Sequence, residues 1–195
     1  MSFNDHFSSH AAVYRDARPT YPDALFDWLA ALAPARGLAW DAGCGNGQAS
    51  VALARRFAHV HASDPSANQI AEAAPGANID YRVEPAERCS LGVGSADLVS
   101  VAQALHWFDP ARFHAEVHRV LKPGGVFAAW TYADCRVDAA VDAAKDRLYH
   151  DLTGPFWPPE RVHVENGYRD LPFPYDAVAA PCFAMMAAWD VAQFL

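Results

Sequence analysis

Leu38-Ala-Trp-Asp-Ala-Gly-Cys-Gly-Asn-Gly-Gln-Ala-Ser50 is the stretch that decides the fold of this chain. Apolar residues lead into Asp41, and three glycines then fall on alternate positions, Gly43, Gly45 and Gly47. Gln48 to Phe57 reads as a helix. A strand, a glycine turn and a helix start make a corner where main-chain N–H groups meet a ligand. Glycine lets that backbone take positive φ and lets the ligand come close. The spacing is G-x-G-x-G, not the G-x-G-x-x-G of dinucleotide binders, and an acid stands two positions before the first glycine. The pattern points away from a pyrophosphate.

Working outward, Val60 to Asp64 reads as a second strand ending in an acid. From Asp41 to Asp64 is 64 − 41 = 23 positions, near the roughly 20 that separate a glycine loop from a ribose-binding acid. Ile79 to Val83 reads as a third strand, followed by Glu84-Pro-Ala-Glu87. Ala96 to Ala102 reads as a fourth, followed by Gln103-Ala-Leu-His-Trp-Phe108, and Leu121-Lys-Pro-Gly-Gly125 precedes a fifth, Val126 to Tyr132. Behind Pro22, Leu25, Phe26, Leu29 and Leu32 recur at helical spacing. Asp109-Pro110 caps and starts another helix with a stripe of Phe113, Val117, Val120 and Leu121. Strands alternating with helices predict an α/β fold, a Rossmann-like, doubly wound, mostly parallel sheet covered on both faces. Right-handed crossovers put all strand C-terminal ends on one rim, where ligands bind. Asp41, Asp64, Glu84 to Glu87 and Gln103 are expected to converge there.

Asp41-Ala-Gly-Cys-Gly-Asn-Gly47 resembles the first motif of class I S-adenosylmethionine (SAM)-dependent methyltransferases, and Leu121-Lys-Pro-Gly-Gly125 resembles their signature before strand five. The block Tyr14-Arg-Asp-Ala-Arg-Pro-Thr-Tyr-Pro22 and the phrase Ala102-Gln-Ala-Leu-His-Trp-Phe108 are similar to the type 11-like members of the trans-aconitate methyltransferase group. The resemblance covers residues 10–132 well and the rest loosely. It implies a cofactor site built from Tyr14, Arg18, Asp41, Gly43, Cys44, Gly45, Gly47, Asp64, Pro65, Ala86, Glu87 and Gln103. Asp64 suits the two ribose hydroxyls; its other reading is a cap for the helix after Ser66. Asp41 suits the methionine amine, directly or through water; its other reading is a tie for the glycine loop. Pro65 and Ala86 suit the adenine walls. Many relatives carry an Asp before that Ala where this chain has Pro85, so Glu87 or Glu84 is left to meet the adenine amine. Arg18 can fork a carboxylate, and Tyr14 and Tyr21 can face the sulfonium.

His106 and Trp107 follow strand four, where the transferred methyl is expected. His106 can act as a general base for a hydroxyl or amine acceptor or serve as a hydrogen-bonded wall. A carboxylate acceptor needs no base, and there the protein contributes alignment. Tyr21, Trp107, Tyr132 and Trp157 are expected around the substrate. The resemblance suggests a carboxylate-bearing small molecule, methylated by SAM with S-adenosylhomocysteine as product. The rival readings are a SAM-binding protein without catalysis and a nicotinamide-dependent oxidoreductase.

The chain has 195 residues, 52% of them apolar, and a net charge of −8. One domain, 1–195, is expected: a cofactor-binding core at 10–132 and a substrate cover with incomplete C-terminal strands at 133–195. The acidic balance argues against nucleic acid and against an anionic membrane surface. No apolar run is long enough to span a bilayer. The start, Met1-Ser-Phe-Asn-Asp-His, lacks a signal-peptide plan, and Cys44, Cys89, Cys135 and Cys182 form no C-x-x-C pair, so a cytoplasmic protein with free thiols is expected. No metal is expected: His114-Ala-Glu-Val-His118 is not H-E-x-x-H, and His59 and His61 alternate faces.

The prolines and aromatics of Asp151 to Tyr175 read as an ordered cover over the rim. Val178 to Ala188 can supply a sixth strand, and Asp190 to Leu195 reads as the start of a helix. With no seventh strand, the C-terminal end is expected to be shortened. The fifth strand would then be an open edge that the tail covers or a second copy of the chain pairs with, making a homo-oligomer.

Overall fold

The structure, a computed structural model, describes residues 20–132 and 134–189. At its centre are five parallel strands: β1 Leu38–Ala42, β2 His59–Asp64, β3 Ile79–Val83, β4 Ala96–Ala102 and β5 Leu121–Trp130. Their order in the sheet is β3-β2-β1-β4-β5. The chain lays its first half to one side of β1 and its second half to the other, so strand order reverses between β1 and β4. Open parallel sheets bind ligands outside the strand ends at such a reversal. The expected doubly wound architecture is the one observed.

Alternation along the strands splits the core in two. Ala39, Val60, Ala62 and Leu98 face the helices α1 Asp23–Leu32 and α2 Gln48–Ala54, against Phe26, Leu29 and Leu53. Trp40, Val99, Val101 and Phe127 face α4 Pro110–Val120, against Phe113, Val117 and Val120. The short α3, Ala67–Ala71, follows β2. Asp109 accepts from the Arg112 N–H at 3.0 Å with Pro110 at the first helical position, so the expected cap of α4 is formed. Trp40 has no exposed surface, and its indole N–H donates to Ser63 Oγ at 2.9 Å. Truncating such a side chain to Ala costs about 3–5 kcal/mol. At the opposite end of the sheet, the buried Asp97 accepts the N–H groups of Gly37 and Leu38, each at 2.9 Å, and pairs with Lys122 Nζ at 2.7 Å. That carboxylate ties the starts of β1, β4 and β5 together.

The C-terminal part departs from expectation. Residues 177–189 contain no strand, so the sixth strand read at Val178 to Ala188 is not there. The reason lies in the side chains: only Phe183 and Met185 are half-buried, while Val178 and Met186 are 63% and 90% exposed, and Pro181 interrupts the run. A strand without an alternating buried face gains too little to form. The Trp130 carbonyl accepts from the Gln103 N–H, so alternation turns the main-chain groups of Phe127 and Ala129 outward. No strand pairs with that side among the described residues. The tail instead reaches this region by side chains. Phe173 stacks on Phe127 at 5.8 Å and Phe183 meets Trp28 at 5.8 Å. Tyr175 hydroxyl lies 2.9 Å from His114 Nδ1. The helix expected at Asp190 to Leu195 lies outside the described residues.

The cover is helical: α5 Ala139–Asp146, a π-helical stretch Arg147–Leu152, a 3-10 turn Gly154–Phe156 and α6 Arg161–Glu165. α6 packs against the 3-10 turn Leu105–Trp107 that follows β4. No described helix is long and apolar enough to cross a membrane. The four cysteines are unpaired.

Candidate active site

The glycine turn between β1 and α2 has φ of +67° at Gly43, +54° at Gly45 and +86° at Gly47, a region that L side chains avoid. Close packing adds a second reason for two of them. A Cβ on Gly43 would meet Ala104 Cβ at 2.7 Å, and one on Gly47 would meet the Tyr81 hydroxyl at 2.1 Å. The turn is fastened to the end of β2. Gly43 and Cys44 donate their N–H groups to the Ser63 carbonyl at 2.8 and 3.0 Å. Gly45 donates to Asp64 Oδ2 at 2.9 Å. Asp64 Oδ1 accepts from the Ser66 N–H at 2.9 Å, and Ser66, not Asp64, caps α3 through Gln69. Pro65 beside it is half-buried.

Asp41 lies beneath the turn. It has no exposed surface, and its oxygens accept from Ser50 Oγ at 2.6 Å and Ser100 Oγ at 3.1 Å. Burial pushes its carboxyl up to about 6, against the pull of the two serine hydroxyls. These bonds tie β1 to the start of α2 and to β4. The two serines were not singled out in the sequence, although Ser100 is a polar residue within the mostly apolar β4.

After β3, Ala86 is buried in the core cluster with Ala104 and Leu105. Glu87 Oε1 accepts from the Asp109 N–H at 2.9 Å. Glu84 Oε2 lies 3.1 Å from His61 Nε2 and accepts from the Ser90 N–H at 3.0 Å. Both acids therefore help hold loops beside the crevice. Gln103 laces the ends of β4 and β5: its amide donates to the Tyr132 carbonyl at 2.8 Å and accepts from Thr131 Oγ1 at 2.6 Å. Its φ is +59°. Tyr21 packs edge-on against Trp130 at 5.7 Å and Tyr132 at 6.3 Å, beside β5.

His106 sits on the turn after β4 with its ring 4.5 Å from that of Trp107 and its Nδ1 2.9 Å from the Tyr168 hydroxyl. Burial, and then the nearby Arg161 and His163, push its imidazole down to about 4. Tyr168 has φ of +61°. It and Gln103 are the two non-glycine residues with positive φ among the described residues, and both border this rim. Strain of that kind costs on the order of 1–3 kcal/mol and gathers at functional sites. Trp157 belongs to the cover, 5.1 Å from Tyr149. Tyr14 and Arg18 lie outside the described residues. Among the described residues no group of three His, Cys, Asp or Glu side chains is placed to hold a metal.

Residues 40–129 match the model of a methyltransferase domain. A protein of Dictyostelium discoideum named as a methyltransferase is 37% identical over 173 residues, covering 87% of this chain and 66% of its own length. A Mycobacterium tuberculosis protein named as a methyltransferase is 36% identical over 172 residues, covering 82% of this chain and 69% of its own. A solved structure from Anaeromyxobacter dehalogenans, described as a type II methyltransferase, superimposes with a TM-score of 0.79 at 57% identity, over 84% of this chain and 70% of that one. The chain thus spans about two thirds of the length of these relatives.

Proposed function

Because this chain belongs to the SAM-dependent methyltransferases, we propose that it moves the methyl group of SAM to a small-molecule acceptor bearing a carboxylate, by in-line displacement. The observation that carries this reading is the glycine turn held open at positive φ and fastened to Asp64 at the strand-order reversal. We assign the ribose hydroxyls to Asp64, the adenine walls to Pro65 and Ala86, and the adenine amine to Glu87. Asp41 acts from below by setting the turn. Family membership replaces the nicotinamide alternative, in line with the glycine spacing.

A carboxylate oxygen is already anionic, so no proton has to leave it. Its lone pair forms the O–CH3 bond while the S–CH3 pair returns to sulfur. Sulfonium and carboxylate would lose their charges together, a neutralisation that exclusion of water would favour. His106, with its pKa near 4, is neutral at physiological pH and a weak base, which suits a hydrogen-bonded wall. Incubating the protein with methyl-labelled SAM and small carboxylic acids tests the reading. Label is expected in base-labile esters. Binding of S-adenosylhomocysteine without any transfer would mark a SAM-binding protein.

A further inference from the structure

In the short helix α3 the buried residue is Gln69, 6% exposed, while Ala67, Asn68 and Ala71 face outward. The inward position of a helix ordinarily takes an apolar side chain. Here it holds a carboxamide, with two donor hydrogens and an acceptor oxygen. The Gln69 main-chain N–H donates to Ser66 Oγ at 3.3 Å, but among the described residues the carboxamide makes no hydrogen bond. Burying an amide without partners is destabilising, so this side chain calls for a reason.

The carboxamide faces the glycine turn. A Cβ on Gly43 or Gly47 would run into Ala104 or Tyr81. A Cβ on Gly45 would instead point into open space where, among the described residues beyond its chain neighbours, Gln69 Oε1 alone comes near, at 3.8 Å. The same glycine donates its N–H to Asp64 Oδ2 at 2.9 Å, so a carboxylate and a carboxamide meet at one residue of the turn. A carboxylate only accepts hydrogen bonds. A ribose hydroxyl that donates to Asp64 keeps lone pairs that only a donor can meet. The amide N–H2, which a half turn of the last side-chain bond exchanges with Oε1, is such a donor.

We propose that Gln69 is a specificity-determining residue of the cofactor site, its carboxamide donating to a ribose hydroxyl whose own proton goes to Asp64. This rests on the methyl-transfer reading above. Together the two side chains read a hydroxyl as donor and as acceptor. A nucleoside lacking that hydroxyl leaves the amide unpaired and is rejected for that reason. The unpaired amide of the empty protein is a strain on stability that the ligand relieves.

The test is calorimetry of wild type, Gln69→Met and Gln69→Glu with S-adenosylhomocysteine and its 2′-deoxy and 3′-deoxy analogues. Methionine keeps the length and helix preference of glutamine and removes the amide. Gln69→Met should bind S-adenosylhomocysteine about three- to tenfold more weakly. It should also lose most of the wild type's discrimination against one of the two deoxy analogues. Its urea midpoint without ligand should equal or exceed that of the wild type, because the unpaired amide is gone. A merely structural Gln69 would lower that midpoint. Gln69→Glu sets a second acceptor beside Asp64 and should bind more weakly than Gln69→Met. Unchanged S-adenosylhomocysteine affinity in Gln69→Met, equal discrimination against both analogues in wild type and variant, a lowered midpoint, or Gln69→Glu binding as tightly as wild type would overturn the role of Gln69. Failure of the wild type to bind S-adenosylhomocysteine would instead overturn the methyl-transfer reading beneath it.

Discussion

The Gly45 N–H donates to Asp64 Oδ2 at 2.9 Å, joining the turn after β1 to the end of β2. One carboxylate thereby shapes the turn and stands where a ribose is expected. The two halves of the proposed cofactor site are thereby coupled, and damage to either should be felt at both.

Gly47→Ala tests the turn itself. A left-handed backbone costs an L residue about 1–2 kcal/mol, and the added Cβ would press on the Tyr81 hydroxyl, which also donates to the Ala74 carbonyl at 2.8 Å. Loss of stability by at least that amount in urea is expected, with weaker S-adenosylhomocysteine binding. Adding Tyr81→Phe should recover part of the loss by removing the clashing oxygen. A Gly47→Ala protein as stable as the wild type would show that the turn has another conformation within reach.

Asp41 makes a pH prediction of definite sign. Its carboxyl moves from 3.8 up to about 6 on folding, so the folded state holds the proton more tightly. Its contribution is greatest below pH about 4 and is lost as pH rises through about 6, a difference of about 3 kcal/mol. Asp41→Asn has no proton to lose. The variant's urea midpoint should rise relative to the wild type's between pH about 4 and 7. Parallel curves would remove the ionisation cost assigned to Asp41.

His106 predicts a flat profile. With its imidazole held near 4, kcat/KM should show no acid limb around pH 6.5. General bases are worth roughly 100- to 10,000-fold, so a His106→Asn loss below about tenfold is expected for a carboxylate acceptor. A limb near 6.5 that vanishes in the variant would restore the base role.

His114 holds the tail. Its Nδ1 meets the Tyr175 hydroxyl and its Nε2 lies 3.1 Å from the Pro172 carbonyl, so the neutral ring donates through Nε2. Burial lowers its pKa, helped by His118 and opposed by the Pro172 carbonyl. The latch is whole above the ordinary histidine value near 6.5 and is lost as pH falls below it. Proteolysis of residues 176–189 should be faster at pH about 5 than at about 7.5. Equal rates would show that the tail does not depend on this ring.

The strand positions and the reversal of their order were legible because each strand is bounded by an acid or a glycine and carries an apolar face. β2, β3 and β4 begin and end within a residue of their expected bounds. What sequence could not give was partnership. Nothing in the spacing marks Ser50 and Ser100 as the holders of Asp41, or Tyr168 as the partner of His106, since these pairs meet only through the sheet and the cover. The tail failed differently: Val178 to Ala188 has enough apolar residues for a strand, but half of them are alanines, which bury little, and Pro181 interrupts the run.

The central claim is a SAM site at the glycine turn that depends on Asp64. Calorimetric titration of S-adenosylhomocysteine into the wild type and Asp64→Ala tests it most directly. The account predicts saturable binding by the wild type and a loss of at least about 1.4 kcal/mol, tenfold, in the variant. No binding by the wild type, or equal affinity in both, would contradict it.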